Sequence, residues 1–248
     1  MKQLAKVLGS ELTQVLQQAS HDLSQWVVEH ESPSHFSNPK QKAKQLEMQT
    51  MESFEKVHHD YQDAAKILVS HLKTVVHNKS DFESILSEFQ NIQVDKAHFD
   101  ALTQQVASQE EYRPQDVFKI SAKTIEALYQ AADHILHEKD FADALKAFSF
   151  LCTIAPSEYR CWVGYGHSAF HTHNYEVSIL AYYIATSLQP ENPWPLIWIA
   201  NVCEEKHEFQ AAYELLARAK ELALHGTDKA ATSLVRDIDE RLVRSGRK

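Results

Sequence analysis

A sequence pattern that occurs three times decides the fold: FADALKAFSFLCTIAP at residues 141–156, YEVSILAYYIATSLQP at 175–190 and FQAAYELLARAKELAL at 209–224. The copies lie 34 residues apart, and each begins with an aromatic residue. A small residue stands at the fourth position of every copy: Ala144, Ser178 and Ala212. Proline ends the first two copies. This period and order of residue sizes are typical of the tetratricopeptide repeat, a helix-turn-helix unit.

The segment upstream of each copy follows the same register. Small residues recur at the eighth position of each unit: Ala132, Gly166 and Ala200. Large residues precede them by four positions: Leu128, Trp162 and Leu196. Two antiparallel helices approach closely only where small side chains meet, while larger ones fill the grooves beside them. An ordinary helical bundle with alanines in phase by accident is the alternative, but several independent columns agree over three units.

Composition favours an all-α protein without a nucleic-acid partner. The chain has 248 residues, enough for two modest domains with cores, and 44% of them are apolar. Only five glycines occur, and strand-like alternation is scarce. The formal charge of −9 argues against nucleic-acid binding, because phosphate contacts need clustered Lys and Arg.

Cysteine usage and hydropathy predict a cytoplasmic location. Cys152, Cys161 and Cys203 are odd in number and lack a CxxC spacing, which favours reduced thiols. The N-terminus lacks an unbroken apolar core of the secretory kind. No stretch approaches the roughly 18 apolar residues that a membrane span requires, so no membrane span is predicted.

The first 107 residues predict a helical accessory or dimerisation domain. Residues 2–29 carry one apolar stripe, and a break rich in Ser and Pro follows at 32–39. Residues 40–77 form a longer helix with a heptad seam: Met51, Phe54, His58, Tyr61, Ala65, Leu68, Leu72 and Val75. We expect this helix to pair with the first as a hairpin or with a second chain as a dimer. Shorter helices follow at 82–92 and 99–106, and a linker at 108–115.

The repeat domain is predicted at 116–226, with units at about 125–158, 159–192 and 193–226. Stacked units of this kind form a right-handed superhelix. The turns inside the units lack glycine, so Asp140 and Asn174 are expected to cap the second helices. Residues 227–248 predict a capping helix with Leu234, Val235, Ile238 and Leu242 on its inner side; the basic residues near its end, such as Arg241, are expected in solvent.

The first helix of each unit is expected to line the concave face of the superhelix. Positions two, five, nine, twelve and thirteen of the units point inward and include these residues: Tyr129, Asp133, Leu136, Arg160, Val163, His167, Phe170, His171, Trp194, Ile197, Asn201 and Glu204. An apolar, aromatic groove with scattered polar groups suits an extended peptide. The alternative is that about half of these aromatics only pack against neighbouring helices.

Specific residues carry a resemblance to a known family: the run 124–129 (TIEALY), then 141–144 (FADA), Phe148, Leu151-Cys152, Tyr159-Arg160, Gly164-Tyr165-Gly166, Tyr175 and Ala211-Ala212-Tyr213. Over residues 116–225 the chain resembles the class II type III secretion chaperones, the SycD/LcrH family. The resemblance implies a cytosolic all-α dimer of three repeats that grips an extended segment of a hydrophobic translocator. It implies a groove of Tyr129, Leu136, Phe141, Ile154, Tyr165 and Tyr182. Asp133 departs from the family, which has an aromatic there. The absence of glycine in the turns is a second departure, and the long N-terminal domain is a third.

Enzymatic and metal-binding functions have weak support in the sequence. His167, His171 and His173 lie near Cys161 or Cys203 in the sequence, but HExxH is absent. We therefore predict no enzyme, no metal and no cofactor. The leading hypothesis is a chaperone for a secreted translocator or effector, acting as a single chain or as a homodimer. The alternative is an adaptor of a secretion apparatus that acts through its N-terminal helices.

Overall fold

Helices make up most of the chain that the structure, a computed structural model, describes: residues 59–90, 114–224 and 229–245. No strand occurs in these ranges, so the predicted all-α class is confirmed. The chain divides into two compact units, Met1–Ala127 and Leu128–Lys248. The predicted helices at 2–29 and 99–106, the first part of the helix at 40–77 and most of the linker lie outside the described residues. The domain bounds stay a prediction.

The first unit contains the helices α1 (59–75), α2 (Lys79–Gln90) and the single turn α3 (Pro114–Val117), and α4 (Ala122–His137) begins in it. Leu68 and Leu72 of the heptad seam are fully buried, as expected for residues that face a partner helix. Asn78 starts α2, because its Oδ1 accepts hydrogen bonds from the N–H groups of Ser80 and Asp81 at 2.9 and 3.2 Å.

A carboxylate of α2 binds the residues at the start of α4. Glu88 Oε2 accepts hydrogen bonds from the Ser121 N–H at 2.9 Å and from Thr124 Oγ1 at 2.6 Å. Lys123 Nζ lies 2.6 Å from Asp81 Oδ1 nearby. Partial burial raises the pKa of Glu88, but the hydrogen bonds from Thr124 and Ser121 outweigh it, so this pKa lies below its usual value. The negative charge of Glu88 therefore lies at the N-terminus of α4, where the helix dipole favours it.

The second unit continues α4 with α5 (Phe141–Ile154), α6 (Tyr159–His171), α7 (Tyr175–Leu188), α8 (Trp194–Glu205), α9 (Phe209–Leu224) and α10 (Lys229–Ser245). Each helix from α6 onward packs against the one before it. The second helices of the pairs, α5, α7 and α9, begin 34 residues apart. All six small positions of the register are buried, as the helix-crossing argument predicts.

Glycine is required on α6 by the rings that face it. A Cβ on Gly164 would lie 2.7 Å from Phe148 Cδ1, and a Cβ on Gly166 would lie 2.6 Å from Tyr182 Cδ1. Both rings are almost completely buried. Ser178 Oγ also donates a hydrogen bond to the Gly166 carbonyl at 2.9 Å. The backbone of α6 is thus in direct contact with the aromatic side chains of α5 and α7.

The turns within the three pairs share one left-handed geometry without glycine. Lys139, His173 and His207, again 34 residues apart, have φ of 65°, 58° and 61°. The next residue in each turn donates its N–H to a carbonyl five positions back, at 3.3, 2.8 and 2.8 Å. This is the Schellman arrangement, which normally places glycine at the left-handed position. Each turn therefore has a residue with a side chain in the left-handed conformation, which normally favours glycine.

The two predicted caps of the second helices have different outcomes. Asp140 caps α5, with its Oδ1 accepting a long hydrogen bond of 3.4 Å from the Asp143 N–H. Asn174 occupies the corresponding position of α7, but its side chain makes no capping hydrogen bond. That part of the prediction was wrong. The backbone of the two turns is alike, since Lys139 and His173 are both left-handed, but even the charged Asp140 makes only a long bond, and a neutral amide is a weaker acceptor.

Helix α10 covers the apolar side of the last pair. Ile238 is buried, and Leu234, Val235 and Leu242 pack against the core formed by α7, α8 and α9. The predicted inner stripe of the capping helix is therefore confirmed.

Candidate peptide-binding groove

The first helices of the pairs, α4, α6 and α8, contact one another, and three of the four side chains in these contacts are ones that the sequence register points inward. The Arg160 guanidinium of α6 lies 4.3 Å from the ring centroid of Tyr129 in α4. His167 of α6 lies 4.8 Å from the ring of Trp198 in α8. These contacts bring the predicted groove residues of successive units together on one side of the repeats, which we call the inner face.

One end of the inner face combines an aromatic ring with charges. The ring of Tyr129 meets Phe148 edge-on at 6.1 Å and is covered by Arg160, which is itself about half exposed. A guanidinium over an aromatic face is attracted by the ring quadrupole. Asp133, one turn along α4, lies 3.4 Å from His137 Nδ1 and is partly exposed. An aromatic surface with both a cation and an anion at its edge can hold an apolar side chain and a polar backbone.

The centre of the inner face is occupied by a histidine that is kept neutral. His167 Nδ1 lies 2.9 Å from the Val163 carbonyl oxygen, so this nitrogen carries the proton and donates it. Burial lowers the pKa of His167, the hydrogen bond to Val163 opposes this, and nearby His171 lowers it further. In the neutral ring Nε2 is an acceptor. The inner face thus has an acceptor among aromatic rings.

Tryptophans extend this aromatic surface along α8. Trp198 packs on His167 and stacks with Trp194, with ring centroids 6.2 Å apart and planes at 27°. Trp194 is 46% exposed, which is unusual for so large an apolar side chain. Trp194 was predicted from its position in the register, whereas Trp198 was not. The spacing of four residues between two tryptophans on one helix face was the signal that could have found it.

Three predicted groove residues lie in the core and present no surface. Ile154, Tyr182 and Ile197 are 4%, 2% and 5% exposed. Tyr182 fills the space that Gly166 leaves, and this close fit explains its burial. Burial raises the pKa of the Tyr182 hydroxyl, and its hydrogen bond with Ser178 lowers this pKa by a smaller amount. A client side chain could reach these residues only after the helices move apart.

The remaining predicted residues are partly buried. Phe141 stacks on His171 with ring centroids 4.1 Å apart, and Phe170 meets Tyr175 at 6.1 Å. Tyr165 lies edge-on to Trp162. Leu136 and Val163 are intermediate in exposure. Phe141 and Phe170 therefore join neighbouring helices, as the packing alternative for the aromatics expects, while the lining role of the others stays a prediction.

The inner face of the last pair is covered in part by the chain itself. Arg241 of α10 donates from Nη2 to Asn201 Oδ1 at 2.7 Å and to Glu204 Oε2 at 3.1 Å. The prediction that Arg241 is solvated was therefore wrong, because the stripe of α10 that packs on the core also directs this arginine onto α8. Asn201 and Glu204 therefore each have one side-chain oxygen occupied by Arg241 of α10.

The histidines and cysteines do not gather into a metal site within the described ranges, where no group of three or more possible ligands occurs. His173 Nδ1 is 3.0 Å from the Tyr175 hydroxyl, and His171 is stacked on Phe141. Burial raises the pKa of Cys152 well above its usual value, so this thiol stays protonated. Among the same residues, no helix is both long and apolar enough to span a bilayer.

Comparison with known proteins identifies the fold. No family model and no curated protein matches the chain. A type III secretion system complex from Aeromonas hydrophila matches with 18% identity and a TM-score of 0.54, over 59% of this chain and 95% of that chain. The Yersinia enterocolitica chaperone SycD, in complex with a peptide of the translocator YopD, matches with 24% identity and a TM-score of 0.48, over 51% and 95%. PcrH from Pseudomonas aeruginosa matches with 20% identity and a TM-score of 0.48, over 51% and 95%. The match to the Aeromonas hydrophila complex shows that this chain shares its helical fold.

Proposed function

We propose that the protein is a cytoplasmic, non-enzymatic chaperone that binds an extended apolar segment of a secreted translocator or effector on its inner face. The observation that carries the proposal is the aromatic row of Trp194, Trp198 and His167, which runs across α8 and α6 and ends in an exposed tryptophan. A row of rings with an acceptor beside it suits an extended chain, whose side chains enter the gaps and whose N–H groups need acceptors.

The resemblance in sequence supports the same function, since it places residues 116–225 near chaperones of translocators. The fold shared with the Aeromonas hydrophila secretion complex is consistent with it. A transient holding role also agrees with the size of the surface. Burying two or three client side chains contributes about 2 kcal/mol each before ordering costs, so the client remains releasable.

The test is pull-down and titration of the full chain with translocators co-expressed from candidate neighbouring genes. Trp194→Ala and Tyr165→Ala each remove an inner-face ring without opening the core, unlike a change at the buried Tyr182. The loss of one buried aromatic contact should weaken client binding by about tenfold or more. Tyr213→Ala is the matched control, because Tyr213 is 40% exposed but lies on α9, outside the inner face. Equal binding by the inner-face variants and the control would refute the proposal.

A further inference from the structure

Three polar side chains recur at the ninth position of the repeat, which the register points toward the inner face. They are Asp133 on α4, His167 on α6 and Asn201 on α8, and each lies 34 residues from the next. All three are partly exposed. Each offers a hydrogen-bond acceptor: a carboxylate, the Nε2 of a neutral imidazole and an amide oxygen. We call these three residues the acceptor row.

The last residue of the acceptor row already binds a basic side chain, which the chain itself supplies. Arg241 Nη2 of α10 donates to Asn201 Oδ1 at 2.7 Å and to Glu204 Oε2 at 3.1 Å. A guanidinium suits this place because it directs several N–H groups at neighbouring acceptors and carries a charge that strengthens each bond. The contact shows which chemistry the row accepts on this surface, namely a cationic donor.

The first residue of the row has no comparable partner. His137 Nδ1 lies 3.4 Å from the Asp133 carboxylate but only 2.8 Å from the Asp133 carbonyl oxygen, so its hydrogen is directed at the backbone. Arg160 is engaged elsewhere, with Glu158 at 3.7 Å and with the ring of Tyr129. Among the residues that the structure describes, no lysine or arginine pairs with the Asp133 carboxylate. Its negative charge is therefore available to a partner.

The middle residue of the row is also available. His167 Nδ1 is used by the Val163 carbonyl, whereas Nε2 has no hydrogen-bond partner in the described part of the chain. This nitrogen is not enclosed, so a group from outside can reach it. The rings of Tyr182 and Trp198 lie 5.5 and 4.8 Å from the imidazole, centroid to centroid. A hydrogen bond made in such a weakly polar setting is stronger than one in water.

We infer that the client segment carries a lysine or arginine that binds Asp133 and a backbone N–H that binds His167 Nε2. This inference rests on the proposed function and names the chemistry that the inner face selects. The client's basic side chain occupies the first position of the row as Arg241 occupies the last. The neutral His167 takes an uncharged donor, because a second cation among aromatic rings would lose its hydration without an opposite charge. The segment is thus apolar with one basic residue toward α4.

The experiment selects peptides from a phage-displayed library of random dodecapeptides on the immobilised full chain. The selected peptides should be apolar, with one lysine or arginine at a fixed position. The most enriched peptide is then synthesised, together with a copy that has methionine in place of the basic residue. The copy should bind the unchanged chain about threefold to fivefold more weakly, as expected for a partly exposed ion pair. Asp133→Asn should weaken binding of the basic peptide by the same factor and leave the methionine copy unaffected.

A matched control and a charge reversal test the role of Asp133. Asp143→Asn is the control, because the Asp143 side chain is 36% exposed, close to the 40% of Asp133, but lies on α5 outside the inner face. It should leave both affinities unchanged. With Asp133→Lys, the selection should instead enrich Asp or Glu at the position that was basic, since opposite charges then meet across the contact.

Methylating each backbone nitrogen of the synthetic peptide in turn tests the bond to His167. One methylation should weaken binding to the unchanged chain by about threefold or more through the lost hydrogen bond. The same methylation should have a smaller effect on His167→Phe, which keeps a ring against Trp198 but lacks Nε2. Equal effects of every methylation on the two proteins would overturn this part of the inference.

The outcomes separate the inference from the proposed function. Selection of apolar peptides without a preferred basic residue would overturn the inference and leave the proposed function standing. A basic preference that Asp133→Asn and Asp143→Asn reduce equally would also overturn it, because the net negative charge of the chain would then be the cause. A selection that yields no peptide at all would refute the proposed function, and the inference would fall with it.

Discussion

Replacing Gly166 by alanine tests the close contact between α6 and α7 on which the middle pair depends. The added Cβ would lie 2.6 Å from Tyr182 Cδ1 and 2.8 Å from its Cζ, whereas carbon atoms pack best at about 3.5–4.0 Å. The ring has little space to withdraw, because Tyr182 is 2% exposed and lies against His167 and Trp198, with ring centroids 5.5 and 5.4 Å away. Either the ring leaves its position or the two helices separate.

One favourable and two unfavourable effects decide the size of the change in stability. Alanine favours the helix over glycine by about 0.8–1 kcal/mol. Overpacking a well-filled core costs about 1–3 kcal/mol. Helix separation would also stretch the hydrogen bond from Ser178 to the Gly166 carbonyl, which contributes about 1 kcal/mol. We expect Gly166→Ala to lower the free energy of unfolding by about 1–2 kcal/mol, which corresponds to a fall of roughly 2–8 °C in Tm.

Urea denaturation followed by tryptophan fluorescence measures this change, since Trp198 lies next to Tyr182. The third pair supplies a matched control, because it has Ala200 and Leu216 where the middle pair has Gly166 and Tyr182. Gly166→Ala combined with Tyr182→Leu should therefore lose less stability than the sum of the single changes. A gain of about 1 kcal/mol in the single variant, as helix propensity alone would give, would refute the close-contact argument.

Three further predictions concern the turns, α2 and α10. His207→Gly should stabilise the protein by about 1 kcal/mol, because glycine accepts the left-handed backbone that histidine resists; a Tm no higher than that of His207→Ala would contradict this. The pKa of Glu88 lies below its usual value in the folded chain, so its contribution is present above the unfolded pKa and is lost as pH falls through the folded one. Glu88→Gln should therefore destabilise the chain at pH 7 and hardly at all at pH 3, and an equal loss in urea denaturation at both would count against the hydrogen bonds. Arg241→Ala should cost about 1–2 kcal/mol by leaving Asn201 and Glu204 without their charged donor, and faster hydrogen exchange in α10 is the readout; unchanged exchange would disprove the contact.

The regular part of the fold could be predicted from the sequence because it follows a local size rule. Ala132, Ala144, Ala200 and Ala212 are fully buried where the register requires small residues, and no information beyond residue size and period was needed. The turns differ. Their left-handed residues are lysine and histidine, and a sequence without glycine gives no sign that the chain accepts this backbone cost to keep the two helices in register.

The candidate site was predictable only in part, because burial depends on contacts between units. Position in the register correctly grouped Tyr129, Arg160 and His167 on neighbouring helices. It could not tell that Tyr182 would enter the space above Gly166, since that contact joins residues 16 positions apart on two helices. It also could not place Arg241 on α8, because this depends on how α10 is rotated about its own axis.

The middle pair concentrates the departures from the repeat, and this is where function-specific residues are expected. A repeat constrains the residues between its helices and leaves its two outer surfaces free. The middle pair alone has glycine at 166, which admits the Tyr182 ring and sets it against His167 on the inner face. The same pair alone has a leucine and a tyrosine at 180 and 183, where α5 has lysine and serine and α9 has glutamate and alanine. Because the neighbouring pairs fold with other residues at these positions, the repeat itself does not require Gly166, Leu180 or Tyr183. Packing accounts for Gly166, since it leaves the space that the buried Tyr182 ring fills.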